Sequence, residues 1–401
     1  MKGKGQGFIY SNAGMGILSI TIILALFAFV PEVLSAPVDK QMPSVIGLST
    51  WGQGSKGYVI ITAISNAIEQ QTGIKVRVIP AVADKARLIA VLRGEALACN
   101  MGLGAFVAAG GILEWQQEGP QLLNILWAGA PGVATLVTKA DSNLKTWKDI
   151  KGKRLADCRK LVPSASWLLG ACLAFGGLTF DDLISIPVPP YAPSTKALMD
   201  GAVDVAFDAN STPAAYELAS SPRGAYFFEL PPENLEGWKK FWKVLPTYQP
   251  YAFTWGVGAS KASPKYFPAS ALALHCHPEA NEELVYTVTK AIHRGYDIFK
   301  GAHGECMQWN IENALDLNLL RTVANPYHPG AIRYFKEIKR WNEEHERWYR
   351  GRIEWQAKMK QAHQETVEQA TKTGIARGSK EFGKLWSPKW DQLSQQLVRE
   401  K

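Results

Sequence analysis

The chain has 401 residues, a formal net charge of +8 at pH 7 and 47% hydrophobic residues. That supports sizeable cores and two domains of roughly 100–200 residues each. The basic residues are dispersed, with no basic-aromatic module, which argues against nucleic-acid binding; the basic excess favours acidic solutes or anionic surfaces.

At the N-terminus, Lys2 and Lys4 precede the uncharged run "ILSITIILALFAFV" at 17–30. It is shorter than the roughly 20 residues of a membrane span and predicts a secretory leader over residues 1–36. Ser35 and Ala36 offer a cleavage edge, although Pro37 disfavours a cut directly after Ala36. An uncleaved anchor is the alternative, since Met15 and Gly16 lengthen the run. Either way the body is expected outside the cytoplasm, in the periplasm or an equivalent space. No second long apolar run follows, so nothing else is expected to span a membrane.

The strand-like "SVIGL" comes next, then "STWGQGSKGY" and the helical "YVIITAISNAIEQQTG", closed by Gly73. Gly52, Gly54 and Gly57 have the G-x-G-x-x-G spacing of a dinucleotide-binding turn. Such a turn wants an acidic residue about 20 positions on, and that place holds Arg77; Asp84 comes later and serves equally as a helix cap. A phosphate-binding loop fails too, because Lys56 follows Ser55 and precedes Gly57. The glycines instead let backbone amides at a helix start approach a ligand, which favours an anionic group.

Further along, "KVRVIP", "LLNILWA", "ATLVT", "KRLAD", "DLISIPV" and "VDVAF" read as strands. The segments "DKARLIAVLRG", "SASWLLGACLAFGG" and "STKALMDG" between them read as helices. This alternation predicts an α/β protein with largely parallel sheets, whose ligand sits at the carboxyl ends of strands. The loops after "SVIGL", "KVRVIP", "KRLAD" and "VDVAF" are therefore the candidate site. Five cysteines, Cys99, Cys158, Cys172, Cys276 and Cys306, form no C-x-x-C; one disulfide is open to them, but buried thiols are favoured for most. His275 and His277 lack the further ligands of a metal site.

Several segments then fall into a specific order: "STWGQGSKGY", "VLRGEALA", "KADSNLKTWKDIKGKRLAD", "LMDGAVDVAFDANSTPAA", "ELVYTVTKAI" and "NPYHPGAIRYFKE". In this order the chain resembles the TAXI-type substrate-binding proteins of TRAP transporters, from about Pro43 to Glu337. Thr50, Gly54 and Tyr58 correspond to that family's glycine-rich entry. Two ligand-facing loops depart from it and here read "PAVADKAR" and "CRKLVPSASW". The resemblance implies a two-lobed type II periplasmic binding protein with a cleft between lobes. Lobe one would be 43–130 plus 259–330, lobe two 131–258, with crossings near 122–137 and 251–260, and a C-terminal helical extension over 331–401. It further implies a receptor that captures a small, carboxylate-containing solute and passes it to ion-gradient-driven membrane subunits of a TRAP transporter. No catalysis, cofactor or metal is part of that expectation. The alternative is an exported ligand sensor or scaffold.

On this reading the first loop supplies Thr50, Trp51, Gln53, Ser55, Lys56 and Tyr58 to the site, and the second supplies Asp84 and Arg87. The other lobe supplies Ser164, Ser166, Trp167, Asp208, Asn210, Tyr248 and Tyr251. Lys56 or Arg87 would hold the carboxylate, with solvated surface cations as the competing reading. Asp208 would accept from a donor group at the ligand's other end, unless Asp208 or Asn210 merely caps the next helix. Finally, Tyr334, Ile338, Trp341, His345, Trp348, Arg352, Trp355 and Met359 step by 4 and 3, a heptad seam on one long helix. That seam would pack along the protein's own lobe or serve self-association or docking.

Overall fold

The computed structural model describes residues 42–399, so the expected leader lies outside the described residues. Strand β1 (Val45–Thr50) is followed by α1 (Lys56–Thr72), β2 (Lys75–Pro80), α2 (Asp84–Leu92), β3 (Ala98–Met101) and α3 (Leu103–Gly110). Then come β4 (Asn124–Val133), β5 (Thr135–Lys139), β6 (Arg154–Asp157), α4 (Pro163–Phe175), β7 (Ile184–Pro187) and α5 (Ala192–Met199). They lead to β8 (Ala206–Asp208), α6 (Pro213–Ser220), β9 (Ala225–Phe227), α7 (Leu235–Val244), β10 (Gln249–Phe253) and β11 (Lys265–Cys276). Helices complete the chain: α8 (Glu282–Arg294), the single-turn α9 (Tyr296–Phe299), α10 (Ile311–Ala314) and α11 (Leu317–Leu320), then α12 (Pro329–Glu337), α13 (Glu343–Lys372) and α14 (Lys380–Arg399).

The α/β architecture is present, built on one large sheet and two small ones. The large sheet runs β10-β11-β3-β1-β2, with β4 also on β11. The small sheets are β8-β5-β9 and the parallel pair β6-β7, joined by the bridge Leu155–Val205. The expectation of largely parallel sheets holds only for β1, β2, β3 and for β6, β7. Strand β11 is antiparallel to β3, β4 and β10, and β5 is antiparallel to β8 and β9. The reversal follows from connectivity: β4 runs out of the large sheet and continues within two residues into β5 of a small one. The return passage is β11. Its first residues lie beside the small sheet, where Leu230 N donates to Tyr266 O at 2.8 Å, and its last pair with β3 and β4. It replaces the expected crossing at 251–260, which holds the end of β10 and a loop. Pro268 and the unbroken run after it hid β11 from a reading by alternation.

Local chemistry explains the elements around the first loop. Ser55 caps α1 by accepting from Tyr58 N at 3.1 Å, and Gly73 closes it at φ 75°. Ile60, Ile61, Ile64 and Ile68 are fully buried along one helical face. Such burial stabilises by about 1.5–3 kcal/mol per side chain. All five cysteines are buried and unpaired.

The long seam takes a different form from the expectation. Helix α12 ends at Glu337, Lys339 turns the chain at φ 56°, and Asn342 caps a new helix by accepting from Glu344 N and His345 N. Trp348, Arg352, Trp355 and Met359 of α13 are buried against the protein's own body. Arg352 Nε donates to Val323 O at 3.0 Å and Gln356 Nε2 to Leu123 O at 2.9 Å. Helix α14 returns beside α13, and Trp386 Nε1 donates to Gly110 O at the end of α3. The α13 part of the seam is thus filled from within, by the chain's own body. Among the described residues no helix is long and apolar enough to cross a membrane.

Candidate functional site

Helices α1 to α6 begin at one cavity of about 580 Å³. The first residues of α1, α2, α3, α4, α5 and α6 or their caps line it, among them Ser55, Asp84, Leu103, Ser164, Ala192 and Thr212. Each helix follows a strand whose carboxyl end opens here, as ligand sites in α/β sheets require.

Seven of the expected residues line this cavity: Trp51, Gln53, Ser55, Lys56, Asp84, Ser164 and Tyr248. The glycine loop positions the first of them. Gly54 takes φ 82°, in the left-handed region. The edge of the Trp51 indole presses against Gly57, where a Cβ would come within 2.4 Å of it. These two requirements account for Gly54 and Gly57 without a nucleotide.

Arg87 does not reach the cavity, and the physical reason is visible. Its side chain is fully buried; Nη1 donates to Ala81 O at 3.0 Å and Val82 O at 2.9 Å, and the guanidinium also pairs with Asp84. The Trp51 ring lies 4.3 Å above it. Burial lowers its pKa to about 10. Arg87 therefore holds the second loop and supports Trp51.

Lys56 faces the cavity but is already paired. Its Nζ lies 2.8 Å from Glu305 Oε2, a carboxylate with no exposed side-chain surface, and 3.3 Å from Ser211 Oγ. Ser211 Oγ donates to the same carboxylate at 3.2 Å. His303 Nδ1 accepts from Glu305 N, so its Nε2 carries the proton and donates to Ser211 O at 3.2 Å. On another wall Ser164 Oγ donates to Asp84 Oδ2. These two clusters tie helices of the large sheet to helices of the small ones.

The other expected residues do not line the cavity. Asp208 is fully buried and accepts from Thr195 Oγ1 at 2.6 Å, Thr212 Oγ1 at 2.8 Å and Ala209 N at 2.7 Å. It thereby ties together the starts of α5 and α6, and burial pushes its carboxyl up to about 6. Its acceptor capacity is spent on its own chain, so the expected donor end of a ligand does not meet it. Asn210 donates to Trp255 O at 3.1 Å and holds the loop after β10. Thr50 is buried, and its carbonyl accepts from Ala81 N. Tyr58 is the residue whose amide Ser55 caps. Ser166 Oγ donates to Pro163 O at 2.6 Å. Trp167 stacks on Phe106 with centroids 6.0 Å apart, and Tyr251 packs edge-on against Phe253.

Sequence reasoning missed a whole wall. Pro189, Pro190 and Tyr191 of the loop after β7 and Pro193 and Lys196 of α5 line the cavity. Tyr191 has φ 68° and ψ −135°, a strained conformation for a non-glycine residue. The signal was the proline-dense "PVPPYAP" directly after a strand. Leu103 and Gly104 of α3 and Leu272 of β11 were missed as well, with β3 and β11 themselves.

Capping distinguishes these helices. Helices α2, α3, α4 and α5 have no side-chain acceptor at their N-termini, and α1 and α6 have only the hydroxyls of Ser55 and Thr212. Uncapped first-turn N–H groups and the positive end of the helix dipole favour an anion.

Residues 48–338 match the model of the NMT1-like family. Among solved structures, a Bordetella bronchiseptica protein is 15% identical, with a TM-score of 0.47, over 74% of this chain and 98% of its own. The alkanesulfonate-binding protein SsuA from Xanthomonas axonopodis pv. citri, solved with MOPS, is 18% identical, with a TM-score of 0.43, over 75% and 95%. PhnD1 from Prochlorococcus marinus, solved with methylphosphonate, is 10% identical, with a TM-score of 0.39, over 75% and 100%. At this distance the three structures say nothing of the solute here.

Proposed function

From the premise that this chain belongs to the NMT1-like family, we propose that it is an extracytoplasmic solute-binding receptor whose cavity takes a small organic acid. The observation that carries this reading is the convergence of helices α1 to α6 on one cavity, four of them without a capping side chain. An acid group placed there accepts from backbone amides that no side chain satisfies. A carboxylate is the acid proposed. The fold is read as that of a type II periplasmic binding protein, with lobes 43–130 plus 259–330 and 131–258 closing by a hinge. The Asp84–Ser164 and Lys56–Ser211 contacts would be made on closure.

The order of the sequence motifs supports membrane subunits of the TRAP type as the recipients of the solute. No catalytic step belongs to this reading. Native mass spectrometry of protein purified without denaturation tests it: a co-purifying small acid, lost on unfolding, is the expected result. Absence of any bound solute, together with no thermal shift across a library of small acids, would overturn it.

A further inference from the structure

We infer that the solute is a singly charged organic anion with an apolar body, aromatic or aliphatic, held at its head by backbone amides; this rests on the receptor reading above. The first support is charge balance. The cavity's inner cation, Lys56, is matched by the buried Glu305, and its inner acid, Asp84, by Arg87. At the exposed mouth stand Lys196 and Glu217, one of each sign. Inside that mouth, no lining side-chain cation is left unpaired to neutralise a second carboxylate. The positive field that remains comes from helix N-termini, which suit one acidic head.

The second support is the lining. Trp51, Tyr191, Leu103, Val162, Leu168 and Leu272 face the cavity. Trp51 is held by Gly57 against the edge of its ring and by the guanidinium of Arg87 over its face, so it is a positioned surface rather than a loose rim residue. Tyr191 is kept in the cavity wall despite its strained backbone, with Tyr191 N donating to Phe207 O at 2.9 Å. A cavity of about 580 Å³ has room for far more than a compact diacid. Apolar walls raise affinity about three- to fourfold for each buried methylene and give nothing to a second charge.

Calorimetry and tryptophan fluorescence on solute-free protein test this with acetate, hexanoate, 4-phenylbutanoate, succinate, adipate and inorganic phosphate. Hexanoate and 4-phenylbutanoate are expected to bind at least tenfold tighter than acetate and than adipate. Trp51→Ala should cost 4-phenylbutanoate about tenfold. Tyr191→Gly should also weaken it, with the relief of its strained backbone offsetting part of the packing lost against Phe207. Tighter binding of succinate, adipate or phosphate, or affinity independent of the apolar body, would overturn the inference and leave the receptor reading standing. Binding of none of the probes, with no co-purifying acid, would remove both.

Discussion

The helices that start at the cavity and those that start elsewhere differ in capping: four of the six at the cavity lack a side-chain cap, while most of the others, the single-turn α9 apart, have one. Away from the cavity, α7, α8, α10, α11, α12 and α13 are capped by Asn234, Asn281, Asn310, Asp316, His328 and Asn342. Four of these, α7, α8, α10 and α13, add glutamates in the first turn. At the cavity, α2 to α5 have no side-chain cap, and the one acidic first-turn residue among α1 to α6 is Asp84, already paired with Arg87. Caps and acids quench the positive end of a helix. Their absence on one side of the molecule leaves the amides available to a solute, at some cost in stability.

The largest expected effect comes from unbalancing the cavity side. Glu305→Gln leaves Lys56 without its buried partner and should lower unfolding free energy by about 3 kcal/mol in urea titrations. The same variant should bind anions more tightly, because a free cation is added to a wall that now works through amides. Unchanged stability and unchanged anion affinity together would show that Lys56 and Glu305 do not act as a pair.

Next in size is a dependence on pH. Burial raises the Asp208 carboxyl from 3.8 to about 6. A group raised on folding contributes most below its unfolded pKa, and that contribution is lost as pH rises through the folded one. Asp208 therefore favours the folded state by about 3 kcal/mol more at pH 3 than above pH 7. His275 and His363 act in the opposite sense. Burial lowers both from 6.5 to about 4, so their contribution is present above 6.5 and lost as pH falls toward 4. Asp208→Asn should accordingly steepen the loss of stability between pH 6 and pH 4, read as the urea midpoint against pH. A slope identical to that of the parent protein would count against a titrating Asp208.

The smallest effects probe the comparison most directly. Asn342→Ala removes the acceptor of Glu344 N and His345 N and should cost about 1 kcal/mol without changing solute affinity. Ala83→Ser puts an acceptor at the start of α2, where Ala83 already has φ −78° and ψ 136°. It should add about 0.5–1 kcal/mol of stability and weaken anion binding. If Ala83→Ser leaves binding intact, the bare start of α2 is not part of the solute's site.

How far the site could be read in advance differs from residue to residue. Ser55, Lys56 and Ser164 were legible because they open helices directly after strands, a local pattern. Arg87 and Asp208 were placed in the right loops but given the wrong direction. Whether a side chain one turn into a helix faces a cavity or a carbonyl behind it is set by the neighbouring loop, here Ala81 and Val82 for Arg87 and Thr195 and Thr212 for Asp208. The wall from Pro189 to Lys196 was overlooked because prolines after a strand read as a connection, and only folding brings β7 beside β6 at the same edge.

By itself the sequence determined the α/β class, the order of β1, α1, β2, α2 and of β5 to β8, and the helical character of the C-terminus, since all rest on short-range periodicity and on Gly or Ser boundaries. The tertiary structure decided the rest. The direction of β11, the break at Lys339 and the pairing of Lys56 with Glu305 join residues far apart in the chain or at opposite ends of a turn. Backbone periodicity reports the face of an element that is buried. It does not report what that face is buried against, and for a cavity whose donors are backbone amides that partner determines the chemistry.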